Sequence, residues 1–124
     1  MRRIAAVLLL LACACGNDKA YAIAYATAHA REIVAATRPL WIRYAANEVP
    51  ASAYPPVLQP LRPTKIVAWK NGVTIYIYTE YQNVTGVFVR HDRSYVPPRA
   101  PGPDATDPDY KPLAADVYWL TIPR

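Results

Sequence analysis

The chain has little of what most site chemistry uses. Its 124 residues include two cysteines, two histidines, two serines, four glycines and one methionine. Both cysteines, Cys13 and Cys15, fall within the first fifteen residues, so the body of the chain carries no thiol. This excludes a disulfide framework, a thiolate metal site and a cysteine nucleophile from the body. Cys13-Ala14-Cys15 is itself too tight for an intrachain bridge. Four well-separated glycines cannot build a loop that cradles phosphate. Neither Ser52 nor Ser94 sits in the glycine-flanked turn of a hydrolase nucleophile. No apolar run reaches the ~20 residues that a membrane-crossing helix needs. Lys and Arg number 14 against 9 Asp and Glu; setting aside Arg2 and Arg3 leaves 12 against 9, about +3. That excess is scattered, so nothing marks a nucleic-acid stripe.

What the chain does have is apolar residues (53%, against 19% charged), 13 prolines and 10 tyrosines. This is enough apolar content to bury one core, and the length allows one domain.

Met1-Arg2-Arg3 is a short positive segment followed by the nine-residue apolar run Ile4–Ala12. That pattern fits the start and core of an export signal, whose apolar region is ~7–15 residues. Leu10-Leu11-Ala12-Cys13 resembles the lipobox of bacterial lipoproteins. The resemblance implies cleavage before Cys13, with Cys15 as the alternative, and acylation of that cysteine. Each buried acyl CH₂ contributes ~0.8 kcal/mol, and stable anchoring takes two or more chains. The following residue is Ala14 or Gly16, not the aspartate that retains such proteins at the inner membrane, so the resemblance points to the periplasm-facing outer membrane. Two other readings stay open. One is a plain cleaved signal, with sites at Ala20-Tyr21-Ala22 or Ala24-Tyr25-Ala26, giving a soluble periplasmic or secreted product. The other is a buried N-terminal helix. The organisation expected is a signal and lipobox segment over residues 1–15 and one small domain over 16–124.

In the stretch 19–37, alanine alternates with Tyr21, Ile23, Tyr25, Thr27 and His29, which suits a strand. The same stretch puts Tyr21, Tyr25, His29 and Ile33 four apart, and it is long for a strand and ordinary for a helix. Alanine's high helix propensity decides for helix, with small faces able to lie close to a sheet. Pro39 predicts a kink or a restart, with a second helix over about 39–47 or, as the alternative, a strand at Leu40–Ala45. Five prolines between 50 and 63 form a stiff connector. In it, Pro55-Pro56 either opens one helical turn that packs Val57, Leu58 and Leu61, or belongs to an extended surface loop.

Ile66–Lys70 and Val73–Thr79 flank Asn71-Gly72. Asn-Gly between β-rich runs is the strongest short hairpin signal, because both loop residues take positive φ. The implied register runs from Lys70 opposite Val73 to Ile66 opposite Ile77. It puts Ile66, Ala68, Val73, Ile75 and Ile77 on one face. Lys65, Val67, Trp69, Thr74, Tyr76 and Tyr78 fall on the other, which is aromatic with polar tips. Val84–Arg90 reads as a third strand, with the face of Phe88 undecided because the loop length is. Residues 92–115 read as a long irregular stretch with six prolines, and Asp116–Ile122 as a final strand. The fold class expected is α+β: N-terminal helices packed on an antiparallel sheet of about four strands with long Pro-rich loops. The succession Tyr54-Pro55-Pro56-Val57-Leu58, Asn71-Gly72-Val73-Thr74-Ile75, Gly86-Val87-Phe88-Val89, Asp107-Pro108-Asp109-Tyr110-Lys111-Pro112-Leu113 and Val117-Tyr118-Trp119 resembles a set of small bacterial proteins described only as uncharacterised. It covers about residues 50–122 and implies no activity.

His91-Asp92-Arg93-Ser94 holds a base, an acid and a hydroxyl, but neighbours on one strand point in different directions, so a polar strand end is expected. His29 lacks a helical partner at ligand spacing. Asp104, Asp107 and Asp109 lack the glycine and glutamate of a calcium loop, and read as turn residues. The aromatic set Trp69, Tyr76 and Tyr78, joined by Tyr118 or Trp119, is the candidate binding surface unless loops or the second helix cover it. The expectation is a non-catalytic, lipid-anchored envelope protein that binds a protein or a glycan, without cofactor, metal or nucleic acid. The alternatives are a small periplasmic enzyme with a site near His91 and Asp92, or a soluble structural module.

Overall fold

A computed structural model describes residues 18–79, 83–99 and 108–123. Cys13, Cys15 and the rest of the lipobox segment lie outside the described residues, as do Asp104 and Asp107. Among the described residues, helices α1 (Asp18–Ala28) and α2 (Ala30–Arg43) come first. Six strands follow: β1 (Asn47–Glu48), β2 (Lys65–Ala68), β3 (Gly72–Thr79), β4 (Asn83–Arg90), β5 (Asp109–Ala114) and β6 (Val117–Pro123). They form one antiparallel sheet in the order β1-β2-β3-β4-β6-β5. The α+β class is as expected, with six strands in place of about four.

The helical choice over 19–37 holds. Ala22, Ala26, Ala30, Ile33, Thr37 and Leu40 are buried at spacings of three and four, which is one stripe of a 3.6-residue period. The helices meet at His29, where φ is −111° and ψ is 23°. Hydrogen bonds continue through that point, from His29 N–H to the Tyr25 carbonyl (2.9 Å) and from Ile33 N–H to the His29 carbonyl (3.0 Å). Pro39 does not restart the helix, and no second helix runs over 39–47; Pro39 lies inside α2, which ends at Arg43. The carbonyl it leaves unbonded is four residues back, at Ala35, and both residues are on the exposed side where water can serve it. The chain then reverses at Ala46, whose φ is 65°.

The Pro55-Pro56 segment opens a helical turn, Pro56–Leu61, that buries Leu58 and Leu61. The Tyr25 hydroxyl donates to the Val57 carbonyl at 2.6 Å and ties that turn to α1. Helices and turn cover one sheet face, where Ile66, Ala68, Val73, Ile75, Val87, Val89, Val117 and Trp119 make the core.

The hairpin register differs from the expected one by two residues. Ala68 faces Val73 and Lys65 faces Tyr76, and Trp69 N–H donates to the Gly72 carbonyl at 2.7 Å. The loop is therefore Lys70-Asn71, and Gly72 is already strand. Asn71 is not among the non-glycine residues with positive φ, which are Ala46, Arg62 and Asp116. Close approach explains Gly72: a Cβ there would overlap the Val89 carbonyl oxygen and lie 2.9 Å from Phe88 Cζ. An even shift preserves faces, so Ile66, Ala68, Val73 and Ile75 still point to the core.

Two strands escape the sequence reading. β1 has two residues and is separated from the end of α2 by three residues. β5 is charged and contains Pro112, which an edge strand tolerates because its outward N–H needs no partner.

Candidate functional site

Alternation along β2, β3, β4 and β6 sends a second set of side chains to the face away from the helices. Register aligns Thr74 with Phe88 and Phe88 with Tyr118. A second row runs from Tyr76 through Gly86 and Leu120 to Tyr110. The segment after β4 brings Tyr95 over the same face. Together these residues enclose a groove of about 640 Å³. Its apolar wall is Trp69, Tyr76, Phe88, Tyr95 and Tyr110, and its polar rim is Lys70, Asn71, Asp92 and Ser94.

Phe88, 1% exposed, is the floor. Tyr95 and Tyr110 meet its ring edge-on, with centroids at 5.9 Å and 5.3 Å. Burial, reinforced by Tyr95 and a hydrogen bond to it, pushes the Tyr110 phenol well above its ordinary pKa, so Tyr110 stays a neutral hydroxyl. Trp69 is 42% exposed, and its Nε1–H donates to Thr74 Oγ1 at 2.9 Å. That bond fixes the indole plane while leaving much of it open. Lys65 Nζ lies 5.2 Å from the Tyr76 ring centroid.

The rim is held by short polar contacts. Asp92 Oδ1 accepts from the Ser94 hydroxyl (2.6 Å) and the Ser94 N–H (3.0 Å). Those two bonds, with help from Lys70, hold the carboxyl below its ordinary pKa. The Asn71 carbonyl accepts from the N–H of both His91 and Asp92 at 3.1 Å. Asn71 Oδ1 is buried without a hydrogen-bond donor. Arg90 braces the loop, donating from Nε (3.0 Å) and Nη2 (2.7 Å) to Asp116 Oδ1, and from Nη1 to the Tyr95 carbonyl (3.2 Å).

His91 and Asp92 do not share a site. Asp92 lines the groove, whereas the His91 ring turns to the helices. Its Nε2 is 2.8 Å from Thr37 Oγ1, and it stacks on Trp41 at 5.4 Å. Burial, then the nearby Arg38, lowers its pKa. His29 packs on Tyr25 at 4.3 Å. Among the described residues, no three His, Cys, Asp or Glu side chains are grouped to hold a metal ion.

Of the sequence-derived surface, Trp69 and Tyr76 line the groove. Tyr78 pairs with Thr85 through its backbone, and its side chain lies outside the described residues. Tyr118 packs on Phe88 at 6.2 Å, and Trp119 is buried in the helix-side core. Phe88, Tyr95 and Tyr110 were not part of that expectation. Phe88 needed a register that the sequence leaves open. Tyr110 sits on the unrecognised β5, where alternation of Tyr110 with charged Asp109 and Lys111 is the available signal. Tyr95 lies off the strands and has no periodic signal. Comparison with protein-family models, curated proteins and solved structures returns no match.

Proposed function

We propose that this is a non-catalytic, exported protein, anchored by lipid at Cys13 or Cys15, that binds an envelope partner in the aromatic groove. The observation that carries the binding role is the groove itself. It combines open ring faces with a few fixed polar groups, the composition of small-molecule and recognition sites, whose volumes run ~300–1,000 Å³. The non-catalytic reading is supported by the separation of His91, which bonds Thr37 on the helix side, from Asp92, which lines the groove. The anchor rests on the Leu10–Cys13 segment, and among the described residues no helix is long and apolar enough to cross a membrane.

Two measurements test this reading. Mass spectrometry of the native N-terminus is expected to find an acylated cysteine at the start of the chain; an intact Met1 overturns the anchor. The detergent-solubilised full chain is expected to bind isolated envelope or cell-wall fractions, and Trp69→Ala is expected to abolish that binding. Equal retention by both chains overturns the groove.

A further inference from the structure

The groove's lining carries one cation, Lys70, and one carboxylate, Asp92, and this narrows what it can hold. Asp92 Oδ1 is already occupied by Ser94, which donates from its hydroxyl and its N–H. The Tyr76 face already carries a cation of its own, the Lys65 ammonium at 5.2 Å. With one charge of each sign in the lining, neither a cationic nor an anionic ligand meets a net opposite charge there. Two features of the lining are left open. They are the exposed face of Trp69, held flat by its bond to Thr74, and the remaining lone pairs of Asp92 and Ser94. Flat apolar faces beside hydrogen-bonding groups match one common ligand chemistry, a ring with C–H bonds on its faces and hydroxyls at its edge.

We infer that the groove binds a neutral saccharide. One sugar ring stacks on Trp69, while its hydroxyls bond Asp92 and Ser94. The inference rests on the groove reading above and specifies the ligand class for that same site.

The test is titration of the full chain in detergent with chitohexaose, cellohexaose and maltohexaose, followed by tryptophan fluorescence. At least one is expected to bind. Its affinity is expected to fall at least about tenfold in Trp69→Ala and severalfold in Asp92→Asn, with unchanged thermal melting. Because the ligand is uncharged, affinity is expected to hold within about twofold between ~50 mM and ~500 mM salt. Binding of none of the three sugars, binding indifferent to Trp69→Ala, or binding that collapses with salt overturns the assignment. The two readings fail separately. If envelope binding depends on Trp69 but no sugar competes with it, the groove stands and the saccharide falls; if envelope binding ignores Trp69, both fall.

Discussion

His91 Nε2 and Thr37 Oγ1, 54 residues apart in the chain, meet at 2.8 Å and fasten the end of β4 to the buried stripe of α2. With the Thr37 proton directed to the Ile33 carbonyl at 2.8 Å, His91 Nε2–H is the donor to Thr37 Oγ1. Desolvation by burial, then Arg38, disfavours the charged ring, while Asp116 pulls weakly the other way. The folded pKa thus lies below the unfolded value of ~6.5. The stabilisation is complete above that pH and is lost as the pH falls from there toward the lowered folded value, because the unfolded chain takes up the proton first. Thermal melting at pH 8 and pH 5 is expected to show a larger drop for the parent chain than for His91→Gln, which keeps a donor without a titrating ring. Thr37→Val is expected to cost ~1–3 kcal/mol at neutral pH, since it strands a buried N–H.

Gly86 faces Tyr76 across β3 and β4 at the place where the register shifts. A Cβ there would overlap the Ile75 carbonyl oxygen and lie 3.1 Å from the Ile75 carbonyl carbon and 3.2 Å from Tyr76 Cα. Backbone cannot swing aside as a side chain can. Gly86→Ala is expected to destabilise by ~1–3 kcal/mol or more, read as a lower denaturant midpoint.

The Tyr25 hydroxyl donates to the Val57 carbonyl at 2.6 Å and is a polar tie between α1 and the Pro56–Leu61 turn. Tyr25→Phe is expected to cost ~0.5–1.5 kcal/mol in chemical denaturation. Because the ring remains, its packing on His29 is kept.

Asp116 closes the β5–β6 turn with φ at 64° and receives the Arg90 fork. Asp116→Ala loses a partly exposed ion pair, about 0.2–1 kcal/mol, and puts a less tolerant residue in the left-handed region, about 1–2 kcal/mol. Asp116→Asn is expected to lose the charge alone and melt closer to the parent chain.

What the sequence makes legible here is what short-range physics dictates. The alanine helix, the Pro-initiated turn, strands β2, β3, β4 and β6 and the faces of the hairpin all follow from periodicity and local propensity. The misses share one cause: each was decided by an element distant in sequence. Asn71-Gly72 looks like a positive-φ turn, but Gly72 is required by Val89 and Phe88 on the next strand. Pro39 looks like a break, but the buried row through Thr37 and Leu40 carries the helix across it. In the groove, Trp69 and Tyr76 are readable because they lie on the hairpin. Phe88 depends on a neighbouring strand's register, Tyr110 on an edge strand built of charged residues and proline, and Tyr95 on a loop.

The sheet's two margins are unlike its centre. β1 offers only Asn47 and Glu48, both exposed, and β5 presents Lys111 and Pro112. A margin that short, or one interrupted by an imino acid beside a lysine, is a poor template for a foreign chain in extended form. Neither margin therefore favours extending the sheet from one copy of the chain into another.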